Sequence, residues 1–256
     1  MTALIETTVV DTDLGAATDW DGVIVVFVGA DQKLDACARK VNTLTRKAVD
    51  RAVQSDAFDA LPDGGALRLA YPAGVAANAV IIVKLDRKPE QASARKAGAT
   101  LALEKGPHPL LVMAGNLGGM DDVALGLILR DYAYSDHKTA APKARGPATL
   151  MMSKPDTLDL QGLRAVAEGV FFTRDLTNAP ANDLTTTSFA DRLAELQTLG
   201  LKAEVFEAAE LAKLGMGALL CVRPGPAVPS TLVVRPWTGG ADEAPVAPLR
   251  QRGGCD

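Results

Sequence analysis

The sequence predicts an α/β fold, and three observations carry that prediction. Short unbroken runs of β-branched and aliphatic residues recur, VIVVFVG at 23–29, NAVIIVKL at 78–85 and PLLVMA at 109–114, and such runs read as strands buried on both faces. Between them lie stretches whose apolar residues recur at helical spacing. The composition is that of an ordinary globular chain: of 256 residues, 48% are hydrophobic and 23% charged. This excludes a disordered, collagenous or highly charged scaffold. Strand and helix signals in alternation argue for layers with a largely parallel or mixed sheet.

Taken in order, 23–29 is the first strand. Residues 33–53 follow as a helix, with Leu34, Cys37, Ala38, Val41, Leu44, Ala48 and Ala52 on one face. Residues 67–70 and 78–85 are two further strands. Pro89 opens a helix that runs through 91–103, since proline is tolerated in a first turn. After the strand at 109–114, a glycine-containing turn at 116–120 leads to a helix reaching about Tyr134, with Asp121 and Asp122 in its first turn, where the helix dipole favours acid. The polar, basic stretch 135–147, with Pro142 and Pro147, marks a domain boundary. Residues 148–153 add a short strand. A long helix at 157–176 buries Leu160, Leu163, Val166, Ala167, Val170 and Phe171, and is broken at 178–182. A helix from Thr186 or Thr187 ends at Gly200, a favourable C-cap, and is followed by a strand at 202–206, a helix at 208–214 and a strand at 231–235. No periodic apolar pattern continues past Val234, so the last βαβ unit reads as unfinished and the second domain as cut short.

Charge and cysteine usage bound the function. The net charge is −4 and the pI about 5.3, so there is no basic field to grip nucleic acid. Cys37, Cys221 and Cys255 are odd in number and form no CxxC pair, which fits a reducing cytoplasm. The apolar run 22–30 is half of what a membrane span needs, and no basic segment precedes an apolar stretch at the N-terminus. The expectation is a cytoplasmic protein with neither a membrane nor a nucleic-acid partner.

Few residues announce chemistry. His108 and His137 have no second ligand at helical spacing, so both read as structural or solvated. No GxSxG, phosphate-loop or dinucleotide fingerprint occurs. Asp11/Asp13 and Asp19/Asp21 lack calcium-loop spacing and read as solvated loop acids. Lys84, Asp86, Arg87 and Lys88 follow a strand, where α/β folds place ligands, although a solvated strand end is the better explanation of them. Asn178 and Asn182 flank a proline in the segment RDLTNAPANDLT, where they serve a turn. No catalytic, cofactor-binding or metal-binding residue is assigned.

That segment carries a resemblance. GVFFTRDLTNAPANDLT (169–185), FADRLAEL (189–196), KAEVF (202–206) and ELAKLGMGALLCV (210–222) resemble the connecting helix and opening catalytic units of the leucine aminopeptidases, also called cytosol aminopeptidases. AGNLGGMDDVALG (114–126) and GLILRDYAYSDHKT (126–139) resemble the end of that family's N-terminal domain. The resemblance implies a macrodomain-like N-terminal α/β domain at 1–147, a connecting helix and turn at 148–182, and the truncated start of a catalytic domain at 183–256 with an aberrant tail from about 223. It also implies cytosolic, usually homohexameric exopeptidases acting on peptide substrates. These use two divalent metals (zinc, manganese or magnesium) to activate water and polarise the scissile carbonyl. The family's VGKGxxFDxGG motif, whose lysine and aspartate begin the metal site, is absent: APVA (244–247) is followed by 248–256, and no lysine occurs after Lys213. No family metal ligand carries over. Arg223-Pro-Gly-Pro226 likewise replaces a GxGS-like turn, and both departures read as reading-frame slips or sequencing errors, which resequencing the locus checks. The expectation is a member of this family without activity of its own. The alternative is a non-catalytic α/β binding or assembly module, favoured by a ligand pocket near Lys84–Lys88 or Asn116–Gly119.

Overall fold

The computed structural model describes residues 2–140, 145–221 and 230–234, and the backbone of 249–251. They divide into two compact units, Met1–Asp175 and Leu176–Asp256.

The first unit is built on a six-stranded sheet of β1 (Thr7–Asp11), β2 (Val23–Val28), β3 (Ala66–Ala70), β4 (Ala79–Lys84), β5 (Leu110–Gly115) and β6 (Ala148–Met152), in the order β1-β6-β5-β2-β4-β3. All neighbours are parallel except β3, which pairs antiparallel with β4 at one edge. Every residue of β2 is buried, as its unbroken apolar run requires. Its side chains alternate between two cores. Ile24, Val26 and Val28 face α1 (Ala36–Leu44), α2 (Ala48–Val53) and α3 (Asp56–Asp59). Val23, Val25 and Phe27 face α4 (Gln91–Glu104) and α5 (Met120–Arg130), with Ala167 of α6 (Leu160–Asn178) in the same cluster. Burying each such aliphatic side chain contributes about 1.5–3 kcal/mol, so the central strands dominate the stability of this unit.

Helices α4 and α5 meet at glycines. A Cβ at Gly98 would stand 2.0 Å from the Val123 carbonyl oxygen, and one at Gly126 would stand 2.1 Å from that of Arg95. Beyond their ends lies a buried charge cluster. Lys105 donates to Asp131 at 3.2 Å and to the Gly146 carbonyl at 3.1 Å, while Arg145 donates to the second Asp131 oxygen at 3.0 Å and to the Ala3 carbonyl at 3.0 Å.

Several elements depart from the sequence reading. The helix expected at 33–53 is two helices, because Arg46 (φ 51°) and Lys47 (φ 61°) take the left-handed conformation between them. Helix α5 stops at Arg130 rather than Tyr134, where Asp131 is drawn into the cluster with Lys105 and Arg145. Val166 is 55% exposed, whereas Ala167, Phe171 and Asp175 take the buried face of α6. Strand β1 and helix α3 were not foreseen. Strand β6 follows Pro147 directly and lies inside this sheet, between β1 and β5.

The second unit holds an antiparallel sheet of β7 (Glu204–Phe206), β8 (Leu232–Val234) and β9 (Leu249–Gln251), with α7 (Thr186–Ala194), α8 (Ala208–Lys213) and α9 (Gly217–Cys221). Thr185 and Ser188 form a reciprocal cap at the start of α7, and Gly200 ends the following 3₁₀ turn at φ 85°. Phe189, Leu193, Leu211, Leu232 and Val233 are buried. The departures noted at 223–226, 244–247 and 252–256 lie outside the described residues; of 248–256, only the backbone of β9 is described.

A cleft at the carboxyl edge of the first sheet

The chain leaves β2 toward the α1 side of the sheet but leaves β4 and β5 toward the α4 and α5 side. These neighbouring strands therefore diverge at their carboxyl ends, and such a reversal opens a crevice. The crevice is a cleft of about 980 Å³, walled by the loops after β2, β4 and β5. Its floor is apolar: Phe27, Leu85 and Ala114 are buried, with Leu34 and Leu117 beside them. Its rim carries three carboxylates (Asp31, Asp35, Asp86) and three cations (Lys33, Arg39, Arg87).

The loop geometry is fixed by those carboxylates. Asp86 accepts from the Ala30 N–H at 2.9 Å, Asp31 from the Lys33 N–H at 3.1 Å, and Asp35 from the Ala38 N–H at 2.8 Å as the N-cap of α1. Gly29 is required beneath them, since a Cβ there would stand 2.6 Å from Asp86 Oδ1 and 3.3 Å from Asp31 Oδ1. The Lys33 backbone N–H holds the Asp31 carboxyl below its ordinary value, against some desolvation. The Lys33 ammonium and the Arg87 guanidinium add to that lowering. Gly118 donates its N–H to the Arg87 carbonyl at 2.9 Å, tying the loop after β5 to the loop after β4.

Of the residues singled out in the sequence, Asp86, Arg87, Asn116 and Leu117 line this cleft. Lys84 does not: its ammonium donates to the Phe58 and Asp59 carbonyls and sits over the Phe58 ring. The opposite wall, residues 29–39, has only a faint mark in the sequence, a glycine directly after a buried strand followed by an N-capping aspartate. His108 meets Asn78 at 2.9 Å and His137 meets the Tyr134 hydroxyl at 2.6 Å. Asp11, Asp13, Asp19 and Asp21 are exposed. The turn after α6 is built by Asp183 and Leu184 donating to the Pro180 carbonyl. Burial, seconded by the Asp35 charge, pushes the Cys37 thiol up to about 11, whereas Cys221 is exposed.

Among the described residues, no three of His, Cys, Asp and Glu stand together in a way that would hold a metal ion. The donor set present there does not fit a pair of divalent metals. No helix among them is long and apolar enough to cross a membrane.

Comparison with known proteins places the chain. The catalytic domain of the cytosol aminopeptidase family matches residues 171–249. A probable cytosol aminopeptidase of Dinoroseobacter shibae is 47% identical over 249 residues, covering 96% of this chain and 51% of that protein. One from Cereibacter sphaeroides is 44% identical over 238 residues, covering 92% and 49%. The chain thus spans about half the length of the curated relatives it matches. A mutant of tomato leucine aminopeptidase shares the fold at TM-score 0.76 and 17% identity, over 93% of this chain and 52% of that one. The bottromycin maturation enzyme BotP, solved in complex with Mn, aligns at TM-score 0.63 and 24% identity, over 85% and 45%. With nearly half of its residues identical to a relative along almost its whole length, the chain belongs to the cytosol aminopeptidase family.

Proposed function

We propose that the chain carries the N-terminal α/β domain, with β6 completing its sheet, the connecting helix and turn, and the opening catalytic segment (from 183) of a metal-dependent aminopeptidase, and that these 256 residues alone do not hydrolyse peptides. The match of the family's catalytic domain to 171–249 supports the kinship. The reaction would be removal of N-terminal residues such as leucine from peptides in the cytoplasm, by a homohexamer using zinc, manganese or magnesium. One observation carries the inactivity: the sequence lacks the family's VGKGxxFDxGG motif, and no lysine occurs after Lys213. Two adjacent divalent cations need several carboxylates to offset their charge.

The test is hydrolysis of Leu-p-nitroanilide by the purified 256-residue chain, with Mn²⁺ or Zn²⁺ added and a chelator control. The expected result is no metal-dependent turnover. Chelator-sensitive turnover would overturn the reading, because it would require a metal site within these residues. A second reading, a binding role for the first unit, is favoured by the cleft after β2, β4 and β5.

A further inference from the structure

We propose that the cleft at the carboxyl edge of the first sheet binds a small zwitterion with an apolar body, a free amino acid or a di- or tripeptide. The inference rests on the binding reading above and names its ligand. Three features carry it. The rim is balanced, three carboxylates against three cations, so it suits a ligand bearing both charges rather than one. The floor of Phe27, Leu85 and Ala114 is apolar and buried, and accepts an aliphatic side chain. The two charges stand side by side: oxygens of Asp86 and Asp31 lie 2.6 Å and 3.3 Å from where a Cβ on Gly29 would stand, and the Arg87 guanidinium is near enough to act on the Asp31 carboxyl.

A phosphate ligand fits poorly. Three of the N–H groups in the loops around it are already engaged, Ala30 by Asp86, Lys33 by Asp31 and Gly118 by the Arg87 carbonyl. A phosphate would also meet three carboxylates. A metal ion fits no better, since these acids do not form a group able to hold one. An ammonium satisfies the acidic pole instead. Asp31 and Asp86 each spend one oxygen on a loop amide, which leaves the second Asp86 oxygen and an Asp31 oxygen held only by Lys33. The surface pair that engages the second Asp31 oxygen, with Lys33 at 3.3 Å, is 84% and 58% exposed and readily exchanged. The ligand's carboxylate would then lie on the Arg87 guanidinium, with Arg39 and Lys33 on the same rim.

Calorimetric titration of the intact chain in EDTA, which silences any metal-dependent turnover, separates this inference from the proposed peptidase kinship. L-leucine and Leu-Leu are the probes, with N-acetyl-Leu-Leu, Leu-Leu-amide and inorganic pyrophosphate as comparators. Saturable binding of Leu-Leu is expected, and blocking either terminus weakens it roughly tenfold, the loss of one charge-assisted contact. Asp86→Asn, which keeps an acceptor for the Ala30 N–H, and Arg87→Gln each weaken it about tenfold while leaving the thermal melt in place. Tighter binding of Leu-Leu than of leucine identifies a peptide ligand, and the reverse a free amino acid; both uphold the proposal. It is overturned by no saturation up to about 10 mM, by blocked dipeptides binding as tightly as Leu-Leu, or by pyrophosphate binding tighter than both. If the Asp86 variant fails to fold, the blocked dipeptides on the unmodified chain decide.

Discussion

Replacing Asp131 by alanine should strand a buried ammonium. Lys105 is 1% exposed in its side chain and Asp131 4%, so neither charge is screened by water. Removing one partner of such a pair costs about 3–5 kcal/mol, because the survivor stays desolvated. Two features of the site favour the lower end. Lys105 keeps the Gly146 carbonyl, and Arg145, 27% exposed, can turn toward solvent. We therefore expect about 3 kcal/mol. For a unit of some 175 residues this is a fall in Tm of roughly 6–12 °C. Urea unfolding followed by circular dichroism measures it. The paired change Lys105→Met with Asp131→Leu should recover most of the loss, since it removes both buried charges together. A cost below about 1 kcal/mol for Asp131→Ala, or a double variant worse than the sum of its singles, would refute the reasoning.

Gly98→Ala should destabilise the first unit by about 1–3 kcal/mol even though alanine is the better helix former, because its Cβ would stand 2.0 Å from the Val123 carbonyl; thermal melting checks this. Iodoacetamide at pH 8 should label Cys221 rapidly and Cys37 only on unfolding, as peptide mapping would report; equal rates would contradict the packing of α1. The raised Cys37 value has a pH consequence of definite sign. The folded chain holds that proton more tightly than the unfolded one, so the contribution is complete below about 9 and lost as pH rises toward about 11. Stability measured between those limits should fall by roughly 2 kcal/mol more in the unmodified chain than in Cys37→Ala.

The parts legible in the sequence were those whose signal is local. VIVVFVG, NAVIIVKL and PLLVMA are buried on both faces, so their apolar runs are unbroken and each is a strand of the sheet. Strand β1 escaped because it lies at an edge: Thr8, Val10 and Asp11 are exposed, and its partner β6 lies 141 residues further on. The break at Arg46 and Lys47 has no local signal because neither residue type favours the left-handed region; the turn is closed instead by the Lys47 and Asp50 N–H groups donating to the carbonyl and side chain of Asn42. The cleft was half legible. Asp86, Arg87 and Asn116 follow strand signals, but Asp31 and Asp35 join them only once parallel strands bring three loops side by side.

The pairing of β1 with β6 also sets an order in time. Thr7 is made well before its register partner Ala148, which emerges 141 residues later, about 7–30 s at ordinary synthesis rates. Until then the Leu110–Gly115 strand is an open edge, with Leu110, Leu111 and Val112 offering unpaired backbone to any neighbouring chain. Strand β6 closes that edge and seats β1 beyond it, while Arg145 fastens the Ala3 carbonyl from the segment just before. The growing sheet is thus most vulnerable to aggregation in the interval between residues 115 and 152, and β1, made before every other strand of this sheet, is the last to find its partner.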